Sequence, residues 1–123
     1  MSEQKNVFGE TLEACCMDPV TGYLRDGFCA IVSGDHGTHA ICAEVTNEFL
    51  LFSKSAGNDL MTPRPEFGFP GLKEGDRWCL CASRWVEAHK AGVAPRVFLK
   101  STHEVALSFV SLSVLQEFSV DGD

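Results

Sequence analysis

Apolar and polar positions divide the chain into short strands that run directly into helices. The stretch HAICAEV at 39–45 is short and apolar, and Thr46 then caps a helix carrying Phe49, Leu50 and Phe52 that ends at Gly57. RWCLCA at 77–82 leads into a helix through Trp85, Val86 and His89 to Gly92. RVFLK at 96–100 meets Ser101-Thr102-His103-Glu104, a capping-box pattern in which Ser101 accepts from the amide of Glu104 while Glu104 reaches back. With only one helix and Val93-Ala94-Pro95 between them, the second and third strands are expected to be parallel neighbours joined by a right-handed crossover.

The remaining segments carry other patterns. Turn formers in DPVTGYLRDG at 18–27, flanked by apolar runs at 11–15 and 28–32, predict an antiparallel hairpin with a long tip, which makes the sheet mixed. A last short helix, with Ser113 and Gln116 in cap spacing, would pack Leu115 and Phe118. Residues 57–76 have neither helical nor strand period, but three prolines together with Phe67, Phe69 and Leu72 predict an ordered wrap. The expected fold is an α+β single domain over residues 1–123. It is a two-layer α/β sandwich with a mixed sheet, three strand-to-helix units, a long ordered Pro/Gly-rich loop and loose ends at 1–6 and 120–123. The pattern apolar-Cys-Ala, then four residues, then Glu fits both 41–48 and 80–87. It reads either as an old duplication or as the common demand for small residues where a strand turns into a helix, and the second reading is preferred.

Composition narrows the partners. Ten basic against seventeen acidic residues give a net charge of -7, which opposes the phosphate attraction of nucleic-acid binders. No run approaches the roughly 18 apolar residues needed to span a bilayer, so no nucleic acid and no membrane are expected. MSEQKNVFGE has no signal-peptide pattern, so the expected location is the cytoplasm, with all six cysteines as reduced thiols. None of the cysteine spacings is C-x-x-C, and no metal or cofactor is expected. Asp35, His36 and His39 with Cys42 form a weak metal pattern on a glycine-rich loop.

The segments DPVTGYLRDGFC, HAICAEVTNEFLLFSKSAGNDLMTPRPEFGFPGL and GDRWCLCASRW resemble the family of small bacterial and plant proteins catalogued as domain of unknown function twenty-two thirty-seven. The resemblance runs from about Val7 to Leu115. It implies a small two-layer α/β sandwich and supplies no activity, substrate or cofactor. It also marks Cys16 and Ile31 as particular to this chain, since members commonly show one cysteine near Cys15 and a threonine where Ile31 stands.

Candidate chemistry centres on cysteine. Residues i and i+2 of a strand share a face, so Cys79 and Cys81 point one way and Trp78, Leu80 and Ala82 the other. Their Cα atoms would stand about 6.5 to 7 Å apart, at the outer limit for a mutual disulfide. Cys79 reads as core, whereas Cys81 borders a helix start where unpaired amides favour a thiolate. Cys42 precedes the Thr46 helix in the same way. Parallel strands would gather Cys42, Cys81, Arg84, Thr46, Thr102 and His103 at one sheet edge. Cys81 and Cys42 are thus the candidate nucleophiles, with His103 as candidate base. His39, three residues from Cys42, faces away from it, and His89 packs on Trp85.

Two polar loop clusters complete the candidates: Asp18, Arg25 and Asp26 at the hairpin tip, and Asn58, Asp59, Thr62, Arg64 and Glu66 in the long loop. With Arg84 they are candidate binders of a small polar ligand. The leading expectation is a non-covalent binding domain for a small polar molecule or a protein segment. The alternatives are an enzyme with a cysteine nucleophile at a strand-to-helix turn, and a subunit-interaction protein, homo-oligomeric or otherwise, that uses Phe67, Phe69 and Trp78 as an apolar patch.

Overall fold

A computed structural model describes residues 4–15, 27–29, 38–57, 59–67 and 71–120. Its elements are β1 (His39–Glu44), α1 (Asn47–Ser55), β2 (Arg77–Cys81), α2 (Ala82–Lys90), β3 (Arg96–Val97) and α3 (Leu112–Glu117), with 3-10 turns at Pro65–Phe67, Leu99–Ser101 and Glu104–Ser108. The molecule is α+β, as the sequence predicts. The strand order is β2-β1-β3.

The two faces of the sheet bury different residues because strand side chains alternate. Ile41, Ala43, Trp78, Leu80 and Val97 join Phe49 and Leu50 of α1 and Ala82, Trp85 and Ala88 of α2 in the main core. Cys42 and Cys79 point to the other face, where they meet Cys15, Cys29 and Phe98 in a second, smaller cluster. Trp85 anchors the helical layer. It is fully buried, its indole N–H donates to the Pro95 carbonyl at 3.0 Å, and it stacks on His89 at 5.4 Å between ring centres.

Local signals set both longer helices. Thr46 accepts from the amide of Phe49 at 3.1 Å and so satisfies an end donor of α1, a cap worth about 1 kcal/mol. Gly57 follows at φ 93°, a conformation that stops the helix. The third unit departs from the expected capping box. Ser101 Oγ donates instead to the Ala14 carbonyl at 3.0 Å, and His103 caps the 3-10 turn at Glu104–Ser108 through Nδ1, which accepts from Val105 at 3.0 Å. α3 is capped by Ser111 rather than Ser113.

Sheet direction is the main correction to the expected architecture. β1 pairs antiparallel with both β2 and β3, so β2 and β3 run the same way but are separated by β1. The three strands are therefore antiparallel rather than mixed, and a parallel pairing appears at the isolated bridge Val97–Ser119. The crossover reading failed because nothing local in β2 or β3 announces a strand inserted between them. The flanks expected to form a hairpin are not regular strands where they are described. Leu12 donates to Gln4 O, Glu13 to Lys100 O and Cys15 to Gly27 O. Asn6 lies within the stretch expected to be loose. It is buried, donates to Lys100 O and accepts from Phe8 and Glu10.

The second correction concerns the cysteines, which are not all reduced. Cys15 is bonded to Cys42 and Cys29 to Cys79, with Cα separations of 5.6 and 5.3 Å. Pairing β1 with β2 sets Cys42 opposite Cys79, and segments 4–15 and 27–29 bring a partner to each. That convergence depends on contacts far apart in sequence, which spacing alone does not disclose.

Candidate functional site

Antiparallel pairing also decides which groups meet Cys81. In the β1–β2 register His39 stands opposite Cys81, beside an irregularity between His39 and Ile41. The Cys81 sulfur lies 3.3 Å from His39 Nε2. Both residues are half-buried, so the pair is reachable from solvent while partly shielded from it. Among the described residues Cys81 is the free cysteine.

The backbone around the pair is built for close approach. Cys81 occupies the N-cap of α2, and no side chain caps that helix. Ala82 N–H donates to the Thr38 carbonyl at 3.0 Å, which joins the helix start to the residue before His39. Thr38 has φ 50°, a left-handed conformation that costs a β-branched residue about 1 to 2 kcal/mol. Strain of this kind concentrates at functional sites, where the surrounding structure holds it in place. An open cavity of about 440 Å³ runs along α2, lined by Ser83, Val86, Glu87, Lys90 and the exposed Phe109; Cys81 and His39 do not line it.

The other candidates scatter. Cys42 is buried and bonded to Cys15, which removes it as a nucleophile. Thr46 follows the C-terminal end of β1, opposite in the sheet to Cys81, because the strands are antiparallel. Thr102 is buried, accepting from Cys42 N at 3.2 Å and donating to Phe98 O at 2.9 Å. His103 is committed to its cap, and burial lowers its pKa from 6.5, with Glu104 pulling weakly the other way. The imidazole placed against Cys81 is His39 rather than His103, the base that the sequence points to. The signal that could have found it is strand register, and that is not local.

Of the loop candidates, Asp59 and Thr62 are bonded to each other. Asp59 accepts from the amides of Met61 and Thr62 and from the Thr62 hydroxyl, bonds that hold its pKa below the usual carboxylate value. Glu66 and Thr62 are exposed. Arg84 Nη1 donates to the Ala56 carbonyl at the end of α1 and to Glu87, pinning the two helices together. Asp18, Arg25, Asp26 and Asn58 lie outside the described residues, as do Asp35, His36 and Phe69. Trp78 of the expected apolar patch is buried at 5% exposure. No described helix is long and apolar enough to cross a membrane.

A family model described as DUF2237, uncharacterized protein conserved in bacteria, matches residues 5–119. Among curated proteins none matches the chain.

Proposed function

The chain belongs to the DUF2237 family, and we propose that it works as a cysteine-dependent enzyme, with Cys81 as nucleophile and His39 as its base. The observation that carries this reading is the 3.3 Å separation of the Cys81 sulfur from His39 Nε2. A thiol needs a base within hydrogen-bond reach, and geometries slightly longer than ideal are usual before substrate binds. His39 takes the thiol proton as sulfur attacks, and can return it to the leaving group.

The reaction class that fits best is acyl transfer from an activated carbonyl. Attack there creates an oxyanion, and with Ala82 N–H held by the Thr38 carbonyl, the next amides of the α2 first turn, which no side chain caps, are the donors that would receive it. The cavity along α2 begins at Ser83, two residues from Cys81, and would hold the non-reacting part of the substrate. Its Lys90 and Glu87 beside Phe109 suit a small molecule with both polar and apolar ends. A cytoplasmic setting is part of this proposal. Two buried bridges there would face a reducing thiol pool, and trapping thiols in intact cells before lysis would report their state.

A panel of acyl thioesters and activated esters, followed by mass spectrometry, tests the reading. An acyl mass increment on the peptide containing Cys81, lost in Cys81→Ser, is the expected result. If Cys81 is alkylated by iodoacetamide yet takes no acyl group from any member, acyl transfer is wrong. Non-covalent binding of a small polar molecule or protein segment in the same cavity is the second reading, favoured by the cavity's open mouth and mixed lining. It requires ligand affinity to survive Cys81→Ser and to fall when Phe109 is replaced by Ser.

A further inference from the structure

His39 reaches Cys81 only because β1 departs from its own register. From Glu44–Arg77 to Ile41–Leu80 the β1–β2 pairing advances one residue on each strand per step. Continued once more, it would set Ala40 opposite Cys81, yet His39 takes that place. β1 therefore carries an extra residue against β2, a bulge at Ala40. Burial agrees, because Ala40 and Ile41 are consecutive and both lie fully buried in the main core, whereas neighbours on a regular strand face opposite sides. With Ala40 turned inward, His39 is the residue presented to the thiol.

Backbone hydrogen bonds hold the bulge in place. The Thr38 carbonyl accepts from Ala40 N–H at 2.8 Å, which closes a turn around His39, and from Ala82 N–H at 3.0 Å, on the first residue of α2. The Ala40 carbonyl in turn accepts from His103 N–H at 2.8 Å. Thr38 holds its left-handed backbone, φ 50°, within the same turn. Base and nucleophile are thus tied through the main chain, since His39 lies inside the turn and Cys81 directly precedes the amide that the turn accepts. Bulges recur beside active sites because they re-aim a side chain.

We infer that Thr38, Ala40 and Ala82 are positioning residues for the Cys81–His39 pair. The bulge at Ala40 brings an imidazole rather than a methyl group to the thiol, and the clasp of the Thr38 carbonyl on the Ala82 amide holds that imidazole where it can take the thiol proton. This deepens, and rests on, the reading of Cys81 as a nucleophile served by His39. A misplacement of about 1 Å can cost about a hundredfold in rate, so the clasp counts for more in the chemistry than one hydrogen bond does in the fold.

The test cuts the clasp without touching either reacting side chain. Ala82→Pro removes the N–H that Thr38 accepts, at the helix position where proline is favoured, and Cys81 with φ -58° and ψ 130° already has the extended backbone that a following proline requires. Iodoacetamide labelling of Cys81 is followed against pH in the full chain with Cys16→Ser, beside His39→Gln and the Ala82→Pro/His39→Gln double variant, and circular dichroism reports folding. Ala82→Pro should slow labelling at neutral pH by about tenfold or more, approach the parent rate at alkaline pH, and add nothing to His39→Gln. A loss of stability alone would produce neither that pH profile nor that lack of additivity. If Ala82→Pro does not fold, Thr38 decides. Thr38→Asn, which favours left-handed backbone, should label at the parent rate, while Thr38→Gly, which merely permits it, should label more slowly. Parent-rate labelling of folded Ala82→Pro, or equal rates in the two Thr38 variants, overturns the positioning inference, and slow labelling of His39→Gln then leaves the pair itself standing. If His39→Gln labels at the parent rate, the pair and its positioning fall together.

Discussion

At the scale of single residues, the chemistry depends on what faces Cys81. The sequence singled out this thiol because it ends a strand and starts a helix, a local property. Its partner was hidden, because His39 meets Cys81 only through the register of β1 against β2. Thr38 links the two by placing its carbonyl against the α2 start at the expense of a left-handed backbone. Thr38→Gly relieves that strain, and denaturant unfolding should show stability unchanged or raised by up to about 1 kcal/mol. Alkylation of Cys81 should nevertheless slow, because the residue before His39 is then less constrained.

His103 makes a pH prediction whose sign follows from its burial. Its pKa is lowered from 6.5 chiefly by desolvation, so the fold prefers the neutral ring, which also accepts at Nδ1 from Val105. The unfolded chain then binds the proton more readily, and stability from this residue is present above pH 6.5 and lost as pH falls below it. Urea midpoints measured on either side of that pH should drop on the acid side. His103→Asn, which can still cap the turn, should flatten that part of the profile.

At the scale of elements, what is encoded within a few residues was legible and what depends on pairing was not. α1 and α2 follow from Thr46, the spacing of Phe49, Leu50, Trp85 and His89, and the terminal glycines. The order β2-β1-β3 and the antiparallel sense come from contacts across most of the chain. The long loop was legible as an ordered wrap, and its described parts show why. Leu72 is buried and donates its N–H to Leu60 O at 2.8 Å, while Gly75 and Asp76 exchange backbone hydrogen bonds with Val45. Gly71 has φ 83°, and a Cβ there would stand 2.6 Å from the Met61 carbonyl oxygen. Gly71→Ala should therefore cost about 1 to 3 kcal/mol by chemical denaturation. Thr102→Val should cost about 1 to 3 kcal/mol by the same measurement, since it leaves the buried Cys42 amide without its acceptor.

At the scale of the whole molecule, the α+β fold was readable and its cross-linking was not. The bonded pairs, Cys15 with Cys42 and Cys29 with Cys79, interleave along the chain, and spacing alone does not say which cysteine meets which. The bridges close loops with sequence separations of 27 and 50, for which chain entropy alone gives about 3.5 and 4 kcal/mol. The loops overlap, so their joint effect should be smaller than the sum. Reduction should lower the unfolding free energy by about 3 kcal/mol or more, a large share of what a domain of this size usually has.

The most direct test of the Cys81–His39 pair is the rate at which Cys81 is alkylated by iodoacetamide in a Cys16→Ser background, with and without His39→Gln. If His39 acts as base, its removal should slow labelling at neutral pH by about a hundredfold, and the gap should narrow at alkaline pH, where hydroxide takes over the proton. Equal rates at neutral pH in two equally folded proteins would show that the imidazole does not activate the thiol, and the assignment of Cys81 as a nucleophile served by His39 would be wrong.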